Sequence, residues 1–366
     1  MDKYNILTLV VRTDNFSNTE RIWLLNKFNE LGNDYLLDFF LKKKVLPFGA
    51  KTCCSLDFNR DFWETILVDY RNRNNNILRF INAAYSSIHH EGARRVFVSE
   101  NFGSLLSADL DIALFTSCDV DNFGLYEEYP KIKKALCDNL GCEVKEVYYG
   151  NNHLASKFYA PKSFNLPENF YFGLDFYPLA RKGLPCFIDA DIFVDWSGCY
   201  TYKDTQITLP SRDVLAYICM MHTSLHRFCQ SPDIRLYFDL LCIEHIGYDE
   251  NNLMQWSSYF NTNCRMAVAT YISNVLLHTS FSNRLTYNKR AKGVLVRVLN
   301  DSRTELLYNP SNLKVLLIEI CCNDKSNLHG IFDVIFPKKE WIKRTYGGTL
   351  VSSYAKHIIK LFYTKS

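Results

Sequence analysis

The spacing of apolar residues changes period twice along this chain, and that double change limits the folds open to it. From about Thr19 to Glu91 the period is helical: Ile22, Leu24, Leu25, Phe28 and Leu31 recur at helix spacing, and Gly32-Asn33 ends the run. Amphipathic segments follow over Phe62 to Tyr70 and Ile77 to Ile88, with a turn at Pro47-Phe48-Gly49 and a polar local break at Asn72 to Asn76. At Arg95 the texture becomes β-branched and aromatic. Val96-Phe97-Val98 and Ile112-Ala113-Leu114-Phe115 are short apolar runs, while Glu143 to Tyr149, His153 to Tyr159 and Asn169 to Tyr177 alternate like strands. Glu127 to Leu140 reads as a helix closed by Gly141. From Leu209-Pro210-Ser211 the helical period returns, with Val214, Ile218, Met221, Leu225 and Phe228 on one face. The pattern predicts an α+β fold in which a mixed β-sheet over 93–205 is flanked by helical regions over 1–92 and 206–366.

Composition narrows the function classes. Of 366 residues 48% are hydrophobic, which excludes a disordered chain and predicts two or three packed units. A formal net charge of +3 argues against a nucleic-acid coat and gives no DNA-binding signature, while leaving room for a basic patch beside an anionic substrate. The thirteen cysteines are odd in number and several sit in apolar runs, so buried reduced thiols are expected; none of the close groups has zinc spacing. Met1 to Asn5 does not open a signal peptide and no apolar span has membrane length, so the expectation is a cytoplasmic protein with no membrane partner.

Three Asp-x-Asp pairs are candidates for metal chemistry: Asp109/Asp111, Asp119/Asp121 and Asp189/Asp191. Two carboxylates one residue apart on an extended segment point the same way and can hold Mg2+ or Mn2+ against a nucleoside triphosphate. Acidic residues also cluster on solvated loops, so context has to choose. Gly103-Ser104 is a turn able to offer N–H and hydroxyl groups to phosphates; it precedes Asp119 by enough residues for a helix and a returning strand, and Asp109 by only four. Asp109-Leu110-Asp111 has the apolar continuation of a metal-carrying strand and stays open as the alternative pair. His222 and His226 share a helix face but lack an identifiable third ligand, so packing or a substrate-facing role is the better reading. The aromatic run Phe170-Tyr171-Phe172 suits strand packing better than base stacking, and Lys338, Lys339, Lys343 and Arg344 suit a solvated face.

Several landmarks in one order resemble the bacterial "uncharacterised nucleotidyltransferase" family of the polymerase-beta superfamily. They are the helix around Phe40 to Pro47, the strand and turn Val96 to Ser104, and Ser117-Cys118-Asp119-Val120-Asp121, followed by Leu174-Asp175-Phe176-Tyr177, the His222/His226 helix, and Phe336-Pro337 through Trp341 to Arg344-Thr345-Tyr346-Gly347. The resemblance spans nearly the whole chain. It implies a polymerase-beta-like nucleotidyltransferase core with Asp119 and Asp121 as metal ligands, Asp175 as third carboxylate, and Gly103 with Ser104 as the phosphate-facing turn. The implied reaction moves a nucleoside monophosphate from a triphosphate to an acceptor, whether small molecule, protein or RNA, with release of pyrophosphate. Cys118 stands where the family often has glycine, and no lysine precedes Gly103. An inactive binding module or toxin-like regulator of the same fold is therefore the alternative.

Overall fold

The computed structural model describes residues 5–13, 16–177, 192–193, 200–226, 228, 233–295, 318, 320–322, 324, 328, 332 and 335–363. Four helices lead in: Ile6–Val11 (α1), Asn18–Lys42 (α2), Leu46–Ser55 (α3) and Arg60–His90 (α4). A capping box starts α2, with Ser17 and Glu20 each satisfying the other's backbone N–H. Glu20 also pairs with the buried guanidinium of Arg12 at 2.8 Å. Gly32, at φ 76°, breaks the helical course inside α2, where the sequence pattern ended its run.

The polar stretch Asn72 to Asn76 does not break anything, because α4 is continuous through it. Trp63, Leu67, Ile77, Ile81, Ala84 and Ile88 form its buried stripe, and Asn74 sits on that stripe fully buried. Its amide donates to the carbonyls of Ile112 (2.6 Å) and Phe115 (2.9 Å). Neighbouring Arg73 donates to the carbonyls of Phe115 (3.2 Å) and Ser117 (2.6 Å). A polar residue on this face is needed because the loop it holds carries carbonyls that no strand pairs. The same contacts explain why Ile112-Ala113-Leu114 is a 3₁₀ turn and not part of a strand, Asp111 capping it through the Ala113 N–H at 3.0 Å.

The sheet is mixed and five-stranded. Its strands are Val96–Val98 (β1), Asp119–Gly124 (β2), Glu143–Tyr149 (β3), Asn152–Tyr159 (β4) and Tyr171–Asp175 (β5), in spatial order β1-β2-β5-β4-β3. β2 and β5 run parallel and the other neighbours antiparallel. Phe102–Ser107 (α5) connects β1 toward β2, and Tyr129–Lys133 (α6) runs on into a wider turn over Lys134–Asn139 before Gly141. One sheet face packs on α4: Tyr85 donates to Asn122 at 2.8 Å and its ring lies 6.1 Å from Phe172. The α+β expectation thus holds at the level of a helix-flanked mixed sheet.

A two-residue pair, Tyr200–Thr201 (β6) with Thr208–Leu209 (β7), precedes the second helical stretch. That stretch comprises Arg212–Leu225 (α7), Asp233–Ile246 (α8), Glu250–Tyr259 (α9), Asn263–Leu277 (α10), Asn283–Thr286 (α11), Lys339–Tyr346 (α12) and Leu350–Tyr363 (α13). Ser211, one residue after Pro210, caps α7, which is buried on nearly every side, and Phe228 lies beyond its end. One contiguous apolar cluster includes Leu24, Trp63, Val120, Phe172, Val214 and Val268, so the three sequence stretches share a core. All ten cysteines among the described residues are free thiols. No helix among those residues is long and apolar enough to cross a membrane.

Candidate active site

The register of the sheet places the site. Asp119 lies opposite Tyr171, Asp121 opposite Gly173 and Phe123 opposite Asp175. Because side chains alternate across a strand, Asp119, Asp121 and Asp175 project from one face, the one turned away from α4. Lys157 of β4 stands opposite Gly173 on that face, in the same row as Asp121. Gly173 is needed there: a Cβ on it would lie 2.8 Å from Asp121 Oδ1. Phe97 stacks on Phe123 at 5.4 Å and closes the β1 end of the face.

These carboxylates are partly buried and repel one another. Burial, then the charges of Asp119, Glu100 and Asp175, push Asp121 well above the ordinary carboxylate range, and Lys157 only partly offsets them. Burial and Glu100 likewise push Asp175 up to about 8. Both oxygens of Asp119 are engaged by hydroxyl donors, Ser117 on Oδ1 and Tyr171 on Oδ2. Lys157 in turn donates to the Tyr171 oxygen at 2.9 Å and lies 4.1 Å from its ring centre.

Glu100, Lys157, Tyr171, Arg235 and Asp239 are members of this site that sequence reasoning missed. Glu100 is buried directly after β1, takes the Ser99 hydroxyl, and has His222 Nδ1 3.5 Å from its Oε1. Burial and then the charge of Asp119 raise it, despite the Ser99 bond. His226 packs edge-on to His222 with ring centres 4.7 Å apart, and the histidine helix meets the site through His222 against Glu100. The alternation on β5 could have found Tyr171, two residues before Gly173 and four before Asp175. Asp239 and Arg235 reach the site only because α8 packs on α5, and no local signal marks them.

Gly103 and Ser104 form the first turn of α5, after Asn101 at φ 58° and ψ −83°. A Cβ on Gly103 would sit 3.0 Å from the Val98 carbonyl, so glycine permits the tight return from β1. The Gly103 N–H donates to Ser99 O (2.9 Å), and the buried Ser104 hydroxyl to Asp239 Oδ1 (2.6 Å) and Asn101 O (3.0 Å). Both groups are thus spent inside the protein in this state. Asp109 and Asp111 lie apart from the β2–β5 face: Asp109 pairs with Lys203, and Asp111 with Arg71 at 2.7 Å. Asp189 and Asp191 lie outside the described residues.

The donor chemistry suits a hard cation, since carboxylates raised by burial and by one another's charge are relieved by a divalent charge. The rotamers, however, are not those of a formed metal centre. Among the described residues no group of three His, Cys, Asp or Glu side chains is arranged to hold a metal ion. Asp119 in particular would have to exchange its two hydroxyl donors for a metal. Beside it lies a half-open cavity of about 20 Å3 between α8 and the 114–117 loop, lined in part by Asn101, Thr116, Ser117, Arg235 and Asp239. No family model, curated protein or solved structure matches the chain.

Proposed function

We propose that this protein is a metal-dependent nucleotidyltransferase with a polymerase-beta-like core, transferring a nucleoside monophosphate from a triphosphate to an acceptor. The observation that carries the reading is the shared face of Asp119, Asp121 and Asp175 on the adjacent parallel strands β2 and β5, where burial first and the charges of neighbouring acids, Glu100 among them, after it drive Asp121 and Asp175 upward. A fold that needed only solubility would not place like charges together in a partly buried cleft. The order of elements agrees with the resemblance: strand, small-residue turn, Asp-x-Asp strand, and a later strand bearing the third carboxylate.

Asp119, Asp121 and Asp175 would hold Mg2+ or Mn2+, which when bound supplies positive charge against the triphosphate and the leaving pyrophosphate. In the transfer the acceptor oxygen bonds to the α-phosphorus, the bond from that phosphorus to the bridging oxygen of pyrophosphate breaks, and the acceptor gives up its proton. Asp175 as the third carboxylate would take that proton only in its ionised form, which a bound cation favours by offsetting the burial and like charge that raise it without metal. Lys157 holds Tyr171, and Tyr171 holds Asp119, so the β4–β5 row fixes the metal-free rotamer of the first carboxylate, and the Tyr171 hydroxyl would be displaced there by a bound cation. Gly103 and Ser104 shape the turn beside the carboxylates; a direct phosphate contact from either requires that turn to open.

The test is turnover of each of the four ribonucleoside triphosphates with Mg2+, read as pyrophosphate release, in the wild type and in Asp121→Asn. Release that disappears in the variant, with the melting temperature preserved, supports the assignment. A folded wild type with neither release nor nucleotide binding overturns it. The double hydroxyl engagement of Asp119 favours one second reading, a catalytically silent module of the same fold, which would bind nucleotide without releasing pyrophosphate.

A further inference from the structure

The carboxylate face of the sheet also carries a cation that none of its acids pairs with. Lys157 stands across Gly173 from Asp121, and since neighbouring strands lie about 4.8 Å apart, its backbone is roughly 10 Å from that of Asp121 with no side chain between them. The lysine leans into that gap. Its Nζ donates to the Tyr171 hydroxyl oxygen at 2.9 Å, and the same hydroxyl donates to Asp119. One oxygen thus separates the ammonium from the first carboxylate. Among the described residues Lys157 forms no ion pair, and Tyr171 takes one of its three N–H donors, so two remain for another acceptor at this half-buried position. A lysine placed only to neutralise the acids would gain more by pairing with one of them directly.

The turn expected to face phosphates is occupied, since the Gly103 N–H donates to Ser99 O and the Ser104 hydroxyl to Asp239 and Asn101 O. Phosphate charge therefore has to be met elsewhere on this face. With a cation held at Asp119 in place of the Tyr171 hydroxyl, the Lys157 ammonium has a second positive charge close by, and an anion that bridges the two relieves both. We propose that Lys157 binds the β- and γ-phosphates of the triphosphate, and with them the leaving pyrophosphate, with the α-phosphate toward Asp121. The inference rests on the nucleotidyltransferase reading and assigns the side chain that recognises the triphosphate tail. Lys145, opposite Lys157 at the β3 end of the sheet and exposed, stands one strand further from the carboxylates and lies outside this contact.

The experiment measures calorimetric affinity in Mg2+ for the α,β-methylene analogue of each ribonucleoside triphosphate, which cannot release pyrophosphate, and for the corresponding monophosphate. The wild type, Lys157→Gln and Lys145→Gln are compared, each checked by thermal melting, and Mg2+ affinity is also measured alone. Lys157→Gln keeps a donor for Tyr171 but loses the charge, so triphosphate binding should weaken by roughly 10- to 100-fold and monophosphate binding by far less. Mg2+ affinity should hold or rise, because a like charge has gone, and Lys145→Gln should match the wild type. In the wild type, which needs no variant to fold, the triphosphate analogue but not the monophosphate should protect the Lys157 amine from acetylation. An undiminished triphosphate preference in Lys157→Gln, an equal loss in Lys145→Gln, a parallel fall in Mg2+ and both nucleotides, or an unprotected Lys157 overturns the assignment and leaves the nucleotidyltransferase reading standing. Failure of the wild type to bind any of these nucleotides overturns both.

Discussion

Gly173 illustrates how one residue can serve the site without contributing a side chain. It faces Asp121 across the β2–β5 pair, and a methyl group there would meet Asp121 Oδ1 at 2.8 Å. Its backbone is ordinary extended strand, so alanine brings no left-handed strain and gains a little from reduced freedom in the unfolded chain. The cost of Gly173→Ala therefore falls on the carboxylate, which has to rotate away. Stability should change by less than about 1 kcal/mol, whereas Mg2+ affinity should fall by on the order of tenfold or more. Isothermal titration with Mg2+ alongside thermal melting separates the two quantities. An alanine variant with wild-type Mg2+ affinity would show that Asp121 does not need its present position.

At the scale of elements, two devices set the position of the site, and both join parts distant in sequence. The first is the rear clamp from α4, where buried Asn74 holds the carbonyls of Ile112 and Phe115 and Arg73 holds that of Ser117. Asn74→Leu removes two buried hydrogen bonds, leaving the Ile112 carbonyl to the Phe115 N–H and the Phe115 carbonyl to Arg73 alone, and should lower stability by about 1–3 kcal/mol, read as a reduced midpoint in urea with an unchanged slope. The second is the docking of the C-terminal helices on the β3–β4 turn. The Asn151 N–H donates to Thr345 O at 2.7 Å, Arg344 donates to Asn152 at 2.8 Å, and Trp341 stacks on Tyr149 at 5.7 Å. Gly150, at φ +59°, would put a Cβ 2.1 Å from that Thr345 oxygen. Gly150→Ala should therefore undock α12 and α13, making the chain beyond Pro337 the first site cut in limited proteolysis; an unchanged digestion pattern would count against the clamp. The sequence foretold the strands well where alternation ran for five residues or more, as in β3, β4 and β5. It misread Asn72 to Asn76 because a polar residue on a helix stripe looks like a break until its carbonyl partners, some forty residues on, are known. The Asp-x-Asp face was legible for a related reason: period-two alternation fixes it locally. Glu100 and Asp239 were not, since their place depends on a helix packed from elsewhere in the chain.

Across the whole molecule the buried acids oppose one another by pH. Burial and like charge raise Asp121 and Asp175, and burial raises Asp239 despite its Ser104 bond, with Asp175 at about 8 and Asp239 at about 7. Unfolded, these groups titrate near ~3.9, so between that value and about 8 the native state holds more protons than the unfolded one. Their contribution is present below the unfolded value and is lost as pH rises through the folded ones. Glu20 acts in the opposite sense: burial opposes its ionisation, but Arg12 and Ser17 hold it at about 2, so its contribution is present above its unfolded value and lost as pH falls. With chelator present, stability should thus peak on the mildly acidic side and decline toward pH 8.5, by on the order of a few degrees in melting temperature. A divalent cation replaces the proton as the charge that neutralises the β2–β5 face. Adding Mg2+ should then raise the melting temperature more at pH 8.5 than at pH 5.5, and Asp175→Asn should flatten both the decline and the Mg2+ response. Differential scanning across pH, with Mg2+ against EDTA, reads this directly. A profile that rises to pH 8.5 in EDTA would show that the carboxylates are not held together as described, and a Mg2+ increment equal at the two pH values would place any bound metal elsewhere.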